Sequence, residues 1–357
     1  MDKSRYKYSE FYRNMAEPPQ TQSVISVIVI AHNRKTFIRD AIDSISHQTL
    51  ERDRFEVIVV KNFKDKAIDE AIKSYGYINL FTDKINLGEK LITGLQYCRG
   101  DIITFLEDDD VYADDRLKVV SSVFHEDRIN YFHNVFIECD IALKPVSKPR
   151  FPQIRHTRTI CQFKFNSDFL NWAVAHSVQS NLSSIAVRRS VLESIKEIIK
   201  SSNGGEDLSI FLQCCRLFGC ISGSSIPLTY VRIHTSFFTT YNSNVLKNTI
   251  AFRIQRNNTY LRTYNMNFIA TNNTKPIVHW LKYVIIYRNI LNKILGYSDN
   301  STLDFRKYIF SLFYSLRHKM FIKFTTVFIS FFLYILDYIN MKKISDKFKK
   351  AIINVYF

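Results

Sequence analysis

A run of four acidic residues, Glu107-Asp108-Asp109-Asp110, is the part of the sequence best suited to chemistry. It directly follows the hydrophobic segment Asp101–Leu106. Adjacent carboxylates repel one another at neutral pH, so gathering them costs free energy unless a cation offsets their charge. Oxygen ligands of this kind suit Mg2+ or Mn2+ bound together with substrate phosphates. The run therefore predicts a metal and phosphate site. A solvated acidic turn that caps the next helix is the alternative.

A second pair of carboxylates, Glu206 and Asp207, follows Asn203-Gly204-Gly205 at the start of a predicted helix. Glycines allow a substrate to approach the backbone closely, and a carboxylate fixed at a helix start is well placed to accept a proton. The simpler interpretation is a flexible turn followed by acidic residues that favour the helix dipole. The local sequence leaves both interpretations open.

Polar residues also follow two strand-like segments. Arg232 and His234 alternate along the chain, so they share one face if the segment is a strand. His32 and Arg34 follow the first hydrophobic segment of the chain. His32 and Arg34 could reach a nucleotide, and ordinary surface or loop polarity is the alternative for each pair.

The elements that must position these residues alternate between strands and helices. A continuous β-branched run such as Val24–Ile30 is typical of a strand buried on both faces of a parallel sheet. Further strands are predicted at Phe55–Val60, Ile78–Phe81 and Asp101–Leu106, and helices at Ile38–Ile45, Lys66–Tyr75, Gly88–Cys98, Val187–Lys200 and Asp207–Phe218. The alternation predicts an open α/β sheet with ligands beyond the carboxyl ends of its strands. The segment Asp140–Phe165 shows no clear period and is predicted to be a loop.

The order and spacing of these segments resemble the family 2 glycosyltransferases, which have the GT-A fold. Ser26–Arg34 resembles the opening strand of that family. Asn86-Leu87-Gly88, followed by Arg99–Leu106, looks like the family's approach to its Asp-x-Asp motif. The resemblance implies an α/β fold of the GT-A (nucleotide-diphospho-sugar transferase) type, an open and mostly parallel sheet flanked by helices.

The resemblance also implies roles for individual residues. Asp109 would bind Mn2+ or Mg2+, with Glu107, Asp110 and His234 as further metal ligands. Asp207 matches the Asp of the family's Gly-Gly-Glu-Asp motif and would be the catalytic base, with Glu206 beside it. The implied donor-binding residues are His32, Asn33, Arg34, Asn62, Glu107, Asp108 and Arg232.

The sequence departs from the family pattern after its second strand. Many members carry Asp-Asp-Gly-Ser there, and one of those Asp residues holds the nucleobase. This chain has Lys61-Asn62-Phe63-Lys64-Asp65 instead. Asn62 can still form hydrogen bonds to a base edge, but the carboxylate is absent. The identity of the nucleotide is therefore open.

The implied activity is a metal-dependent, hexosyltransferase-type, inverting glycosyltransferase. It would move a sugar from a nucleotide-sugar donor to the hydroxyl of a lipid-linked acceptor or a surface glycan. The alternative is an inactive GT-A scaffold or a binding protein at the membrane. A nucleotidyltransferase is disfavoured, because Ala31-His32-Asn33-Arg34 is not a glycine-rich phosphate loop.

Charge distinguishes the last part of the chain. The formal net charge is +16, and residues 276–357 hold 13 Lys and Arg against 4 Asp and Glu. This excess accompanies an aromatic and aliphatic composition, and no recognised nucleic-acid motif is present, so a membrane surface is favoured over nucleic acid. The apolar segment Phe324–Ile339 would span about 24 Å as a helix, short of a hydrocarbon core of roughly 30 Å.

These observations predict three parts: an N-terminal extension (1–22), a GT-A domain (23–270) and a helical membrane-associated region (271–357). The N-terminus has no apolar segment of the kind found in secretory signal peptides. The six cysteines lack Cys-x-x-Cys spacing and are predicted to be reduced, as in a cytoplasmic compartment. We therefore expect the protein at the cytoplasmic face of the cell membrane, as a peripheral or single-span protein.

Overall fold

A computed structural model describes residues 24–146, 158–161, 177–202, 204–217, 219–233 and 305–317, together with 169, 173, 282–283, 285–286, 289–290, 328 and 331. The chain divides into two compact units. The first comprises Met1–Phe163, Trp172–Ser201 and Glu206–His234, and the second comprises Lys164–Asn171, Ser202–Gly205 and Thr235–Phe357.

The first unit is built on one mixed sheet with helices around it. Its strands are β1 (Ile25–Ala31), β2 (Phe55–Lys61), β3 (Ile78–Phe81), β4 (Ile102–Glu107), β5 (Val111–Tyr112), β6 (Ile129–Cys139), β7 (Arg158–Cys161), β8 (Ile185–Arg188) and β9 (Cys220–Arg232). Its helices are α1 (Ile38–Ser46), α2 (Lys66–Ser74), α3 (Leu87–Leu95), α4 (Arg116–Val123), α5 (Arg189–Ser194), α6 (Lys196–Lys200) and α7 (Glu206–Arg216). The strands and helices predicted from the sequence agree with these bounds to within about three residues, with one exception. The segment Val187–Lys200 is not one helix, because its first two residues end β8 and the rest forms the two helices α5 and α6.

Strand order places β1 at the centre of the parallel half. The described strands run β3-β2-β1-β4-β8-β6-β9-β5, and β7 pairs with β9. Strands β1 to β4 pair in parallel, whereas β8 is antiparallel to both β4 and β6. The chain moves outward from β1 to β3 and then returns to the other side of β1 with β4. The gap between β1 and β4 is therefore the switch point, where open α/β sheets bind ligands. The predicted α/β fold with a sheet of the GT-A type is confirmed.

Burial on both faces explains why these strands form the core. Every residue of β1 and of β2 is buried. Full burial of one Ile or Val side chain contributes about 1.5–3 kcal/mol. Helix α1 covers one face through Ile38, Ala41, Ile42 and Ile45, as its i, i+4, i+7 pattern predicts. The sheet is thus a rigid platform whose carboxyl edge carries the polar residues.

The predicted loop over Asp140–Phe165 and the predicted reduced state of all six cysteines are both wrong. Residues Arg158–Cys161 form β7 rather than loop. The antiparallel register of β7 and β9 places Cys161 opposite Cys220, and the two form a disulfide bond. Cys98, Cys139, Cys214 and Cys215 are free and buried, as predicted. Sequence spacing could not reveal the pair, because 59 residues separate its members and strand pairing alone brings them together.

The second unit has a small apolar cluster of its own. Helix α8 (Phe305–Arg317) contributes Tyr308, which packs with Ile286 and Ile290. Among the described residues, no helix is long and apolar enough to cross a membrane. The apolar segment 324–339, apart from Phe328 and Phe331, and the N-terminal extension 1–22 lie outside the described residues.

Candidate active site

The carboxyl edge of the parallel strands gathers most of the candidate residues. Ile30 of β1 lies opposite Glu107 of β4, and Ala31 lies opposite Lys61 of β2. The residues that follow these positions therefore emerge side by side. A turn carries the four acidic residues, because the Asp110 amide donates to the Glu107 carbonyl oxygen over 3.1 Å. Sequence order alone had predicted this convergence.

Arg34 binds two members of the acidic run. Its Nη2 lies 2.5 Å from Asp108 Oδ1, and its Nη1 lies 2.8 Å from Asp109 Oδ2. The Asp108 side chain is buried, whereas that of Arg34 is 38% exposed. Burial raises the pKa of Asp108 to about 6, and the nearby Arg34 opposes that shift. Arg34 is thus a partly exposed cation held directly over the carboxylates.

The buried Asp110 and the partly buried Glu107 share one serine. The Ser183 Oγ accepts the Glu107 amide over 3.0 Å and also bonds the Asp110 side chain. Burial, reinforced by the charge of Asp109, raises the pKa of Asp110 to about 8. Burial and the neighbouring aspartates also hold the pKa of Glu107 well above its ordinary value. Burial is the larger cause of both shifts, and the repulsion that the sequence predicts adds to it. A bound cation would favour the ionised forms of both carboxylates.

Asp207 reaches the same site from the start of α7. Gly204 and Gly205 precede that helix with φ of +107° and +90°, a conformation that favours glycine. The Asn181 amide donates to Asp207 Oδ2 over 3.2 Å. Burial and the aspartates of the acidic run are the larger causes of the raised pKa of Glu107. Asp207 is close enough to Glu107 for its negative charge to raise that pKa further. Glu206, beside it, is buried.

The turn Asn181–Ser184 connects the candidate base with the acidic run, and sequence reasoning missed it. Its first residue bonds Asp207, and its third bonds Glu107 and Asp110. Asn181 has φ of +68°, and its side chain accepts the Ser183 amide. Asn-x-Ser was visible in the sequence only as a glycosylation sequon, so local pattern gave no reason to connect it with the site.

Arg232 is placed differently from the other candidates. Its guanidinium is fully buried, lies 2.7 Å from Asp40 of α1 and stacks 4.2 Å from the ring of Phe37. Its backbone amide donates to Asp110 Oδ1 over 3.3 Å. The contact of Arg232 with the site is therefore through its backbone, which holds Asp110. His234 lies outside the described residues.

A buried lysine lies beneath His32. Lys90 Nζ donates to the Ala31 carbonyl oxygen over 2.9 Å and lies 2.6 Å from His32 Nδ1. Burial lowers the pKa of Lys90 to about 8. Burial and the charges of Lys90 and Arg34 also lower the pKa of His32, so its ring is neutral at pH 7. The sequence gave no reason to single out Lys90, since a lysine in an amphipathic helix is ordinarily exposed.

Asn33 and Asn62 bind each other across the ends of β1 and β2. The Asn33 amide donates to Asn62 Oδ1 over 2.9 Å, and Asn62 Nδ2 donates to Asn33 Oδ1 over 2.8 Å. Asn33 has φ of +55°, which asparagine tolerates better than most residues. The pair brings two predicted donor-binding residues together at one edge of the site.

Comparison with known proteins agrees with this architecture. The profile of Glycosyl transferase family 2 matches residues 26–195, which include the acidic run and the turn before β8. Residues 26–195, a little under half of the chain, therefore resemble a glycosyl transferase family 2 domain. The resemblance seen in the sequence is therefore confirmed.

The curated relative that the chain resembles is distant. An uncharacterized glycosyltransferase of Haemophilus influenzae is 28% identical over 145 residues, covering 38% of this chain. The matched part is 48% of that relative, so the chain spans about half its length.

Solved structures resemble the chain in fold. Mannosyltransferase PcManGT from Pyrobaculum calidifontis, in complex with GDP-Man and Mn2+, gives a TM-score of 0.52 at 16% identity. The match covers 89% of this chain and 88% of that one. S. aureus TarS gives 0.49 at 15% identity, with 85% of this chain and 54% of that chain covered.

Proposed function

We propose that this family 2 domain transfers a sugar from a nucleotide-sugar donor to an acceptor hydroxyl with inversion of the anomeric configuration. The observation that carries the proposal is the meeting of Asp207 with the acidic run at the switch point of the sheet. An acceptor hydroxyl needs a base on one side of the sugar, and the leaving diphosphate needs positive charge on the other.

The residues of the chain would divide this work between them. Asp207 would accept the proton of the acceptor hydroxyl as that oxygen attacks the anomeric carbon, and the Asn181 amide would hold the carboxylate in place. Glu206 would position the acceptor. Arg34 is the partly exposed cation nearest the aspartates and would bind the diphosphate. One-step displacement from the face opposite the diphosphate inverts the anomeric centre.

The donor set suits a hard divalent cation. Asp110 is buried and Glu107 is partly buried, and burial and mutual repulsion raise the pKa values of both carboxylates. A cation would offset both costs. Within the described ranges, no three His, Cys, Asp or Glu side chains are arranged around a common metal position. Few protein ligands are ordinary for Mg2+ bound with substrate phosphates.

We propose that Asp109 would hold Mn2+ or Mg2+ together with the donor diphosphate, and that Glu107, Asp110 and His234 would complete the site when the donor is bound. The ion would act as a Lewis acid that stabilises the charge of the leaving diphosphate.

Nucleotide release from a panel of nucleotide-sugars, with Mn2+, Mg2+ or EDTA, tests this function. We expect release from one donor that requires metal and is lost in Asp109→Ala. Asp127→Ala removes a fully exposed carboxylate and is the matched control, which should keep wild-type release. Folded protein that neither binds nor turns over any donor would contradict the transferase function and favour an inactive scaffold.

We further propose that a hexosyl group is transferred to an acceptor that is lipid-linked or a surface glycan, at the cytoplasmic face of the cell membrane. The excess of Lys and Arg in residues 276–357 supports attraction to anionic lipid. Phe313 of α8 is 68% exposed, on the helix that carries the exposed Arg306. Full-length protein should float with anionic liposomes and lose that flotation in high salt. Protein that stays in the soluble fraction with anionic liposomes at low salt would contradict membrane attachment.

A further inference from the structure

We infer that Arg34 is a replaceable counter-ion of Asp109, and that it exchanges this contact for the donor diphosphate when a divalent cation binds Asp109. This inference rests on the proposed nucleotide-sugar function and adds a coupling between its two ligands. Metal and donor would favour each other's binding, because each of them takes one member of the same ion pair.

The acidic run presents its members in two directions. Asp108 and Asp110 are buried, whereas Glu107 and Asp109 are partly exposed. Among the aspartates of the run, Asp109 is therefore the one that an incoming ion reaches from solvent. Arg34 already binds it, with Nη1 lying 2.8 Å from Asp109 Oδ2. A divalent cation and the guanidinium thus compete for the same carboxylate charge.

Asp108 anchors Arg34 in place. The Oδ1 atom of Asp108 lies 2.5 Å from Arg34 Nη2, and its Oδ2 accepts the His32 amide over 3.2 Å. Both oxygens are engaged, and the side chain is buried, so loss of the cation would leave a buried charge without its partner. The contact between Arg34 and Asp108 is therefore the one that persists when the site is loaded.

The contact with Asp109 costs less to break. The Arg34 side chain is 38% exposed and the Asp109 side chain is 16% exposed, so water solvates both charges when they separate. Ion pairs that water reaches contribute little to stability. A divalent cation carries twice the charge of a guanidinium and bonds the oxygen directly, which favours the cation once diphosphate oxygens complete its coordination.

A guanidinium can keep one partner while it changes the other. Its five N–H donors form a rigid planar fork that suits carboxylate and phosphate oxygens equally well. Rotation about the Asp108 contact would move Nη1 from Asp109 to a phosphate oxygen. The diphosphate would lie beside Asp109, because the same metal binds both. Arg34 would then stabilise the negative charge that grows on the leaving group.

Binding of Mn2+ and of a nucleoside diphosphate, separately and together, tests the exchange without an activity assay. The nucleotide probe is the one among UDP, GDP, ADP and CDP that the full chain binds most tightly with Mn2+ present. Electron paramagnetic resonance of free Mn2+ gives the Kd for Mn2+ alone. Calorimetry in EDTA and in saturating Mn2+ gives two nucleotide Kd values, whose ratio is the coupling between the ligands.

Arg34→Gln should affect the two ligands in opposite directions. Mn2+ alone should bind about tenfold more tightly, the value of one charge-assisted hydrogen bond, and the nucleotide should bind more weakly in Mn2+. The coupling should shrink by about the same tenfold. If Arg34 kept Asp109 throughout, its loss would change each affinity equally with and without the other ligand. An unchanged coupling in folded Arg34→Gln would therefore overturn the exchange.

Lys35→Gln is the matched control for a general effect of charge. It removes the neighbouring cation, whose partner is Asp65 at 3.2 Å and not a member of the acidic run. Loss of this charge should favour Mn2+ slightly and leave the coupling at its wild-type value. A coupling that falls as much in Lys35→Gln as in Arg34→Gln would show that net charge, and not release of Asp109, is responsible.

Chemical labelling of the wild type tests the exchange without a substitution. Phenylglyoxal modifies accessible guanidinium groups, and mass spectrometry measures the modification of each arginine. Arg39 of α1 is the internal standard, because it pairs with Asp43 over 3.1 Å, outside the acidic run. Mn2+ should increase labelling of Arg34 relative to Arg39, and the nucleotide should then protect Arg34. Labelling of Arg34 that does not respond to Mn2+ would contradict its release.

The outcomes separate this inference from the proposed function. Nucleotide binding that Mn2+ does not affect would overturn the exchange and leave nucleotide binding intact. Folded protein that binds none of the four nucleotides would overturn the nucleotide-sugar function, and this inference would fall with it.

Discussion

Asp110→Asn should stabilise the fold in the absence of metal, although it alters a residue of the proposed site. The pKa of Asp110 is about 8 in the folded protein, because the side chain is buried beside Asp109. In the unfolded chain it returns to the ordinary 3.8. The folded state therefore binds more protons than the unfolded state between these values. Stability then falls as the pH rises from about 4 to about 8.

The size of the effect follows from this window. Each pH unit above the unfolded-state pKa lowers the free energy of unfolding by about 1.4 kcal/mol. The roughly three units between that pKa and pH 7 therefore lower the stability of the wild type by about 4 kcal/mol. Asparagine avoids that cost and keeps an oxygen for the Arg232 amide. Its Nδ2 loses some hydrogen bonding beside Ser183, which costs about 1–3 kcal/mol. The net gain at pH 7 is about 1–3 kcal/mol, or roughly 3–10 °C in Tm.

Thermal unfolding in EDTA across pH 5 to 8 is the assay. The difference in Tm between Asp110→Asn and wild type should grow with pH and be smallest at pH 5. Asp127→Asn, the same change at a fully exposed carboxylate, should show no such trend. Parallel pH profiles for wild type and Asp110→Asn would refute the reasoning, because they would show that Asp110 has the same pKa folded and unfolded.

Three further predictions concern other parts of the site and fold. Asp207→Asn should lower kcat by about 10²–10⁴-fold and leave the Kd for nucleotide nearly unchanged, since it removes only the base; an unchanged kcat in a transfer assay would exclude that role. Unreduced, denatured chain should take up alkylating reagent at four of its six cysteines by mass spectrometry, and labelling at Cys161 or Cys220 would contradict the disulfide. Burial lowers the pKa of Lys90 from 10.5 to about 8. The free energy of unfolding of the wild type should therefore rise with pH between about 8 and 10.5. Chemical unfolding of Lys90→Met should show no such rise with pH. Identical pH profiles for the variant and the wild type would contradict the lowered pKa.

The sequence by itself determined strands β1 to β4, most of the helices around them and the positions of the acidic residues. Hydrophobic runs of β-branched residues specify strands buried on both faces, and Ile38, Ile42 and Ile45 specify the buried face of α1. These patterns are local, so they can be interpreted without knowing what packs against them. The acidic run followed such a strand, which was sufficient to place it at the carboxyl edge of a parallel sheet.

Only the tertiary structure decided which side chains meet. The disulfide between Cys161 and Cys220, the contact of Asn181 with Asp207 and the burial of Lys90 all depend on partners at least 26 residues apart. Strand register and helix packing bring these partners together, and a linear sequence encodes neither in its local pattern. The carboxylates were therefore evident from the chain, whereas the serine and asparagine that bond them and the lysine beneath His32 appear only in the folded protein.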